Sequence, residues 1–412
     1  MSLNRRTLLS TLVAGCLTSG ASHALAQERK VVQWAGVSFA GDFSQLPRVM
    51  PTLYELLAQD SPFLERFRQR VALTVSRSAA TLPSLQILVD DQVRQGDDAY
   101  ALSFVLAGES ITAYTIEQTT FVDFVVQALV LVGNVSKDPS RQRIVASYPV
   151  QVRYQHAYPD GQQPSAEDRK TFVGAMLMGQ AGKADLVAEW HKRLGHLRLS
   201  ERDVWVAVAP LQILPEARQQ GKLSDDFADR VAFRVSSAIE GNISQAAGIP
   251  IVPSTFDGAL TQLTLSFADR SIVSFRKPDP SHVLQVSVYA LVTSAAEEAM
   301  TREKKFAVAY GGGFLVEYFS VDPDRRRHLE LGMRLQKVQS VTYLGTSLND
   351  QRASAADMFS RLIAGFAHEM SNKLIPADAL WLENNKASSE PRTATELAQL
   401  ATAKLPARRR PD

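Results

Sequence analysis

The feature that most constrains this chain is that it resembles itself. Phe67-x-x-Arg70-Val71-Ala72-Leu73-x-Val75-Ser76 recurs as Phe227-x-x-Arg230-Val231-Ala232-Phe233-x-Val235-Ser236. Leu102-Ser103-Phe104-x-Leu106-Ala107-x-x-Ser110-Ile111-x-x-Tyr114 recurs as Leu263-Thr264-Leu265-x-Phe267-Ala268-x-x-Ser271-Ile272-x-x-Phe275. Ala128-Leu129-Val130 then matches Ala290-Leu291-Val292, and Tyr148 matches Tyr310. The offset creeps from about 160 to about 162 residues, as small loop insertions would make it. The alternative is that similar elements drift into similar patterns, but that would not keep four matches in one order.

Each copy reads alike. Copy one opens with an apolar strand over Val31–Phe39 containing Trp34. A helix over Pro62–Ser78 follows, with Pro62 near its start, where a missing N–H costs nothing. Phe63, Phe67, Val71 and Val75 recur every four residues and give one buried stripe. Strands follow near Leu85–Val89, Ala101–Leu106, Ile111–Ile116, Phe121–Val132 and Arg143–Tyr154. Copy two opens with Val204–Val208, containing Trp205, on the equivalent strand. Its helix begins near Ser224, where a serine cap and two aspartates meet the positive helix end. Strands follow at Ile249–Val252, Leu260–Phe267, Ser271–Phe275, Val283–Thr293 and Lys305–Phe319.

In Val283–Thr293, Leu284, Val286, Val288, Ala290 and Val292 share one face, while Gln285, Ser287 and Tyr289 share the other. This predicts a strand with one packed and one partly wet face. Leu329, Leu331, Met333 and Leu335 alternate with Glu330, Gly332, Arg334 and Gln336 in the same way. Phe121–Val132 is apolar nearly throughout, which predicts burial on both sides. A connector over Ser165–Leu199 begins with a cap and acids, and a helix over Ser354–Leu374 is stopped by Pro376. The fold class expected is α+β. It comprises two tandem repeats of a strand–helix–multistranded antiparallel or mixed sheet module, with a helical connector and a C-terminal helix. The corresponding boundaries are a signal peptide at 1–26, modules at 27–160 and 201–376, the connector at 161–200, and a mobile polar tail at 377–412.

The N-terminus reads as an export leader. Arg5 and Arg6 are followed by an apolar stretch over Thr7–Ala21, then Ala24-Leu25-Ala26, which predicts cleavage between Ala26 and Gln27. Two finer readings stay open. Val13-Ala14-Gly15-Cys16 has the form of a lipobox, in which Cys16 would carry acyl chains and anchor the protein. The Arg5-Arg6 pair fits twin-arginine as well as ordinary export. Both routes lead to the periplasm, and acylation would hold the chain at the periplasmic face of the outer membrane.

The pattern of elements in each copy resembles the TolB N-terminal and CsgG-like α/β modules. It is closest over Asp203–Leu211, Asp225–Glu240 and Ile249–Pro253. The resemblance implies an envelope protein that binds other proteins or assembles oligomers. It carries over no functional residue, because no functional motif is matched. Long lipid-facing hairpins of a secretion pore are not evident in the sequence.

No constellation of catalytic residues emerges. Gly179-Gln180-Ala181-Gly182-Lys183-Ala184 fails the spacing and the hydroxyl of a phosphate loop. His191 and His196 stand five apart and so diverge around a helix. His368-Glu369 reads as a solvated helix edge. Gly311-Gly312-Gly313 reads as a strand bulge or bend, with close backbone approach to a ligand as the alternative. Arg325-Arg326-Arg327-His328, beside Asp322 and Asp324, reads as a charged turn. The only cysteine is Cys16, so the body holds no disulfide or thiolate site. A net charge of +2, from 45 basic and 43 acidic residues, argues against a chain dominated by nucleic-acid binding. No catalytic, cofactor or metal residue is assigned. The expectation is an exported adaptor or assembly protein whose partner is another envelope protein and which meets membrane only through an acyl anchor. An envelope hydrolase with a dispersed site and a periplasmic small-ligand receptor are the alternatives.

Overall fold

In the computed structural model the described residues are 30–57, 61–79, 82, 85–89, 99–116, 119–159, 162–180, 184–197, 199, 205–254, 261–267, 269–299, 304–322, 324–345, 355–374, 381 and 384–385. They form an α+β fold of two mixed sheets and covering helices. β1 (Lys30–Ala40) leads through α1 (Leu46–Val49) and α2 (Pro51–Leu56) to α3 (Pro62–Ala79). Next come β2 (Leu85–Leu88), β3 (Tyr100–Ile116), β4 (Thr119–Asn134), β5 (Ile144–Tyr158), α4 (Ala166–Met178) and α5 (Leu186–Leu194). The second half runs through β6 (Val206–Val208), β7 (Gln212–Ile213), α6 (Pro215–Gly221), α7 (Asp225–Ala247), β8 (Gln262–Phe267) and β9 (Ile272–Arg276). It ends with β10 (His282–Ala299), β11 (Lys304–Val321), β12 (Arg327–Gly345) and α8 (Ala355–Leu374).

Sheet one has the order β5-β4-β3-β1-β8-β9, with β2 also on β1; sheet two has the order β12-β11-β10-β6, with β7 also on β10. In both, the strand before the long helix pairs in parallel with the first strand of an antiparallel meander: β1 with β3, and β6 with β10. The expected sequence offset does not follow this path. Only the match between α3 and α7 joins elements of equal rank. The partner proposed for β3 is the β8–β9 hairpin, which belongs to sheet one through Ser38 opposite Phe267. The other two matches set β4 against β10 and β5 against β11, each one strand out of step. Apolar strands of one period look alike, so an alignment can slip by a whole strand without disturbing the pattern. The tryptophans are not equivalent either. Trp34 meets Trp190 edge-on in the first core, whereas Trp205 packs against the apolar cluster on the opposite face of sheet one.

The first core forms because α3 presents Phe67, Val71 and Val75 to the sheet, all fully buried. Phe67 meets Phe104 of β3 edge-on at 5.5 Å between centroids. Burying each such side chain stabilises the fold by about 1.5–3 kcal/mol. The segment expected to be a connector is a layer of this core. Trp190 of α5 is fully buried and donates its Nε1–H to the Leu129 carbonyl at 3.0 Å. Ser165 starts α4 with a reciprocal capping box to Asp168. Arg70 of α3 ties the layer down, reaching Asp185 Oδ2 at 2.6 Å and the Leu177 carbonyl.

β4 is buried on both faces, as its composition predicts. One face joins the first core through Val122, Phe124, Val126 and Val130. On the other, Leu129 and Leu131 meet Leu263, Leu265 and Phe275 of the β8–β9 hairpin. The hairpin curls across this face until Arg276 N–H reaches the Gln142 carbonyl at 3.0 Å, and Arg276 bridges Arg143 in parallel fashion. The Phe275 ring fills the space where a Cβ at residue 133 would stand, so Gly133 is required there.

α7 is shared between the sheets. Val231, Val235 and Ile239 enter the core of sheet two with Phe306, Tyr310 and Phe314. Its Arg234 donates to Thr112 Oγ1 of β3 at 2.7 Å and to Ser360 Oγ of α8 at 2.5 Å. The layers therefore run helices α3–α5, sheet one, helices α7 and α8, sheet two. Of the tail expected to be mobile from 377, Trp381 packs on Phe366 of α8 and donates to Glu369 Oε2 at 3.3 Å, because its ring extends the apolar stripe of that helix.

Candidate functional site

Two bulges decide what sheet two shows to solvent. In β10, Leu284, Val286 and Val288 are buried, as their alternation predicts. The register then shifts between Val288 and Ala290. The extra residue, Tyr289, reverses the phase, so Leu291 turns inward and Val292 is 56% exposed. This corrects the expectation that Ala290 and Val292 lie on the packed face. A second shift, opposite Tyr318/Phe319, acts on β12. Met333 and Leu335 are buried there, but Leu329 is 56% exposed.

The three glycines do not break β11, which runs unbroken from Lys304 to Val321. They serve close packing instead. Gly312 faces inward, where a Cβ would stand 2.5 Å from Leu362 Cδ2, so α8 rests on bare backbone. Gly311 and Gly313 face outward and are roofed by Val292 and Tyr289, at 2.9 and 2.6 Å from the same hypothetical atoms.

Register across the strands assembles one surface from these parts. Its rows are Ala290–Gly313–Gln336, Val292–Gly311–Val338, Ser294–Ala309–Ser340 and Ala296–Ala307–Thr342. None of these residues is charged. Val338 is 62% exposed. At the margin, the Arg334 guanidinium lies 5.7 Å from the Tyr289 ring centroid. The surface ends at β12, a 19-residue strand at the end of its sheet. The opposite side is occupied: β6 and β7 pair with β10, and Gln220 of α6 accepts the Leu291 N–H at 3.0 Å. A long terminal strand beside a smooth neutral face can accept an added strand and pack its side chains.

A separate concavity of about 340 Å³ opens between α3 and β1. Trp34, Gly36, Glu65, Arg68, Phe267 and Asp269 line it. It arises because β2 pairs with β1 only as far as Gln33 and β8 only from Ser38. Between them β1 bulges at Gly36, whose φ of 96° suits glycine.

Between the sheets, α7 carries a fully buried carboxyl. Burial pushes Glu240 up to about 8, against hydrogen bonding from Ser254 and attraction from Lys277. Its Oε1 has no hydrogen-bond partner. It lines a small space of about 20 Å³ with Gln127, Pro149 and Phe233.

The leader positions Arg5, Arg6, Cys16, Ala26 and Gln27 lie outside the described residues. Among the described residues no three His, Cys, Asp or Glu side chains converge to hold a metal ion. Gly179 is the C-cap of α4. Glu369 pairs with Lys337, and His368 lies beside Asn242 and Asn372. The arginine cluster forms the turn between β11 and β12, where Asp322 accepts from Arg326 N–H at 2.7 Å. Both bulges were invisible to a reading of alternation, although Gly311 and Gly313 marked where side chains from neighbouring strands would have to lie.

No family model matches the chain, and no curated protein matches it. The resemblance to TolB N-terminal and CsgG-like modules expected from the pattern of elements is therefore not shown. Among solved structures, one described as a homolog of neuraminyllactose-binding hemagglutinin from Helicobacter pylori is 11% identical, with a TM-score of 0.23 over 49% of this chain and 89% of its own. A minor lipoprotein from Acinetobacter baumannii is 9% identical, with a TM-score of 0.21 over 41% of this chain and 88% of its own. A hypothetical protein from Chlamydia trachomatis is 11% identical, with a TM-score of 0.19 over 41% of this chain and 96% of its own. Overlaps of this size establish neither a shared fold nor a shared function. No described helix is long and apolar enough to cross a membrane.

Proposed function

We propose that this chain is an exported envelope protein that works by binding, as an adaptor or assembly factor for another envelope protein. The observation that carries the reading is β12: a terminal strand of 19 residues bordering an uncharged outward face. Main-chain pairing along such a strand supplies affinity, and pockets for alternate side chains supply selectivity. The leader sequence supports a periplasmic location, with acylation at Cys16 as the means of holding it to the outer membrane. The two sheets, sharing one path, support descent from a duplicated module.

A photo-crosslinking residue at Val338 in intact cells tests the reading. A discrete adduct with one envelope protein is expected, together with its loss when Ser340→Lys is added and its absence when the probe sits at Lys192. Equal labelling from Val338 and Lys192 would sink the strand-addition model.

The groove between α3 and β1 favours a second reading, a receptor for a small ligand. Its volume and its mixture of Trp34 and Phe267 with Arg68 and Asp269 suit a small, partly apolar, charged molecule. A ligand whose affinity falls at least about tenfold in Arg68→Ala, with β12 variants unaffected, would select this reading over the first.

A further inference from the structure

We propose that the basic end of sheet one docks on an anionic phospholipid membrane. Three segments remote in sequence meet there. The β4–β5 loop brings Lys137, Arg141 and Arg143, all exposed. The end of β9 brings Arg276, whose main chain bridges that of Arg143. The turn between β11 and β12 brings Arg325, Arg326 and Arg327, also exposed. Asp279 ties the last two segments, accepting from Arg276 Nη2 at 3.5 Å and from Arg325 Nη2 at 3.0 Å.

The start of β1 reaches the same end. Cross-strand register runs from Val32 to Tyr100 to Asn134, and Asn134 N–H donates to the Arg143 carbonyl at 2.9 Å. Three strand spacings separate β1 from Arg143, about 15 Å. Lys30 Nζ lies 5.9 Å from the Tyr100 ring centroid. Lys30 and the seven cations of the three segments face four described carboxylates, Asp138, Asp279, Asp322 and Asp324. Eight cations against four carboxylates give this end a local positive excess in a chain whose net charge is only +2. The ion pairs inside the patch are solvent-exposed and weak. Their guanidinium groups can exchange a carboxylate for a phosphate at little cost, and a planar fork matches phosphate well.

The kind of polyanion follows from placement. In sequence, Cys16 precedes Lys30 by 14 residues, so acylation there would tether the start of β1, and with it this end of the sheet, to lipid. One acyl chain or one basic patch alone gives marginal attachment, and the two together give stable attachment. The surface is made of strand ends and turns, which suit a planar partner more than a nucleic-acid strand tracked along a groove.

Vesicle co-sedimentation of the full chain tests this, with Cys16→Ser present so that no acyl group contributes. The vesicles are phosphatidylcholine alone, or phosphatidylcholine with phosphatidylglycerol at roughly 2:1. Binding to the mixed vesicles is expected to exceed binding to neutral ones by at least about tenfold, and to collapse at about 0.5 M salt. Arg141→Glu/Arg143→Glu/Arg325→Glu should lose at least about tenfold with an unchanged circular dichroism spectrum, while Lys192→Glu, remote on α5, should bind as the parent does. If the triple variant misfolds, Arg325→Ala alone should lose about fivefold. The proposal is overturned by equal binding to both vesicles, by an equal loss in Lys192→Glu, by no loss in the patch variants, or by tighter binding to a single-stranded oligonucleotide than to the mixed vesicles.

Discussion

The two sheets share a path, yet one is sealed and the other is open. Sheet one is covered by α3, α4 and α5 on one side and by the β8–β9 hairpin and α7 on the other. Sheet two is covered by α7 and α8 on one side, and its outer face, buried at Val283 and Ser287 near the start of β10, carries Val292 and Val338 more than half exposed farther along. What separates them is one hairpin. β8 and β9 follow α7 in the chain, but β8 pairs with β1 and the hairpin closes sheet one, leaving sheet two without an equivalent. A path that buries all its faces makes a scaffold. The same path short of a hairpin leaves an edge and a face for a partner.

The seal over sheet one should give the largest effect when broken. Phe275→Ala removes the ring that seals sheet one over Gly133 and should cost about 3–5 kcal/mol in denaturant unfolding. A loss below about 1 kcal/mol would mean that the hairpin does not complete the core.

The next largest effect lies between the sheets. Glu240 titrates near 4.5 when unfolded and at about 8 when folded, because burial disfavours its charge. The folded state therefore holds a proton that the unfolded state has released. The associated stability is complete below about 4.5 and is lost as pH rises through about 8, with a slope of up to about 1.4 kcal/mol per pH unit between them. In Glu240→Gln this slope should disappear from melting curves taken between pH 5 and 8. An unchanged slope would show that another group governs it.

Sheet two makes a finer test, because its two sides predict opposite responses to adding one carbon. Gly312→Ala places a methyl group against Leu362 under α8 and should cost about 1–3 kcal/mol. Gly311→Ala meets only the exposed Val292 side chain, which can turn aside, and should cost well under that. Equal costs would erase the distinction between packed and open faces. The smallest effect expected on stability is that of Val338→Lys, within about 0.5 kcal/mol in thermal unfolding. The same change should abolish crosslinking from a probe placed at Thr342 of the same face, and a large loss of stability would place Val338 in a core instead.

Much of this was legible in advance. The stripe of α3, the caps at Ser165 and Ser224, the double burial of β4 and the helix ending near Leu374 all follow from spacing and composition, which act over a few residues. The face of sheet two was read half correctly. Alternation gave the inward side of β10 up to Val288 and the inward Met333 and Leu335, and failed beyond each bulge. A bulge leaves no mark in hydrophobic period, since the residues on either side of it keep their own alternation. The glycine triplet was noticed but misassigned. A run of glycines marks either a bend or a close approach, and only the neighbours Leu362, Val292 and Tyr289 distinguish the two.

Sequence by itself determined the elements and the α+β class, because helix and strand periods, caps and breakers are local properties of the chain. It also holds the leader pattern around Arg5, Arg6, Cys16 and Ala26. Tertiary structure alone decided which strand pairs with which, that the supposed connector is a core layer, and that the β8–β9 hairpin belongs to the first sheet. It alone gathered the cations of three distant segments at one end. Strands of equal hydrophobic period are interchangeable by pattern, and only complementary shape, as between Phe275 and Gly133, selects the partner.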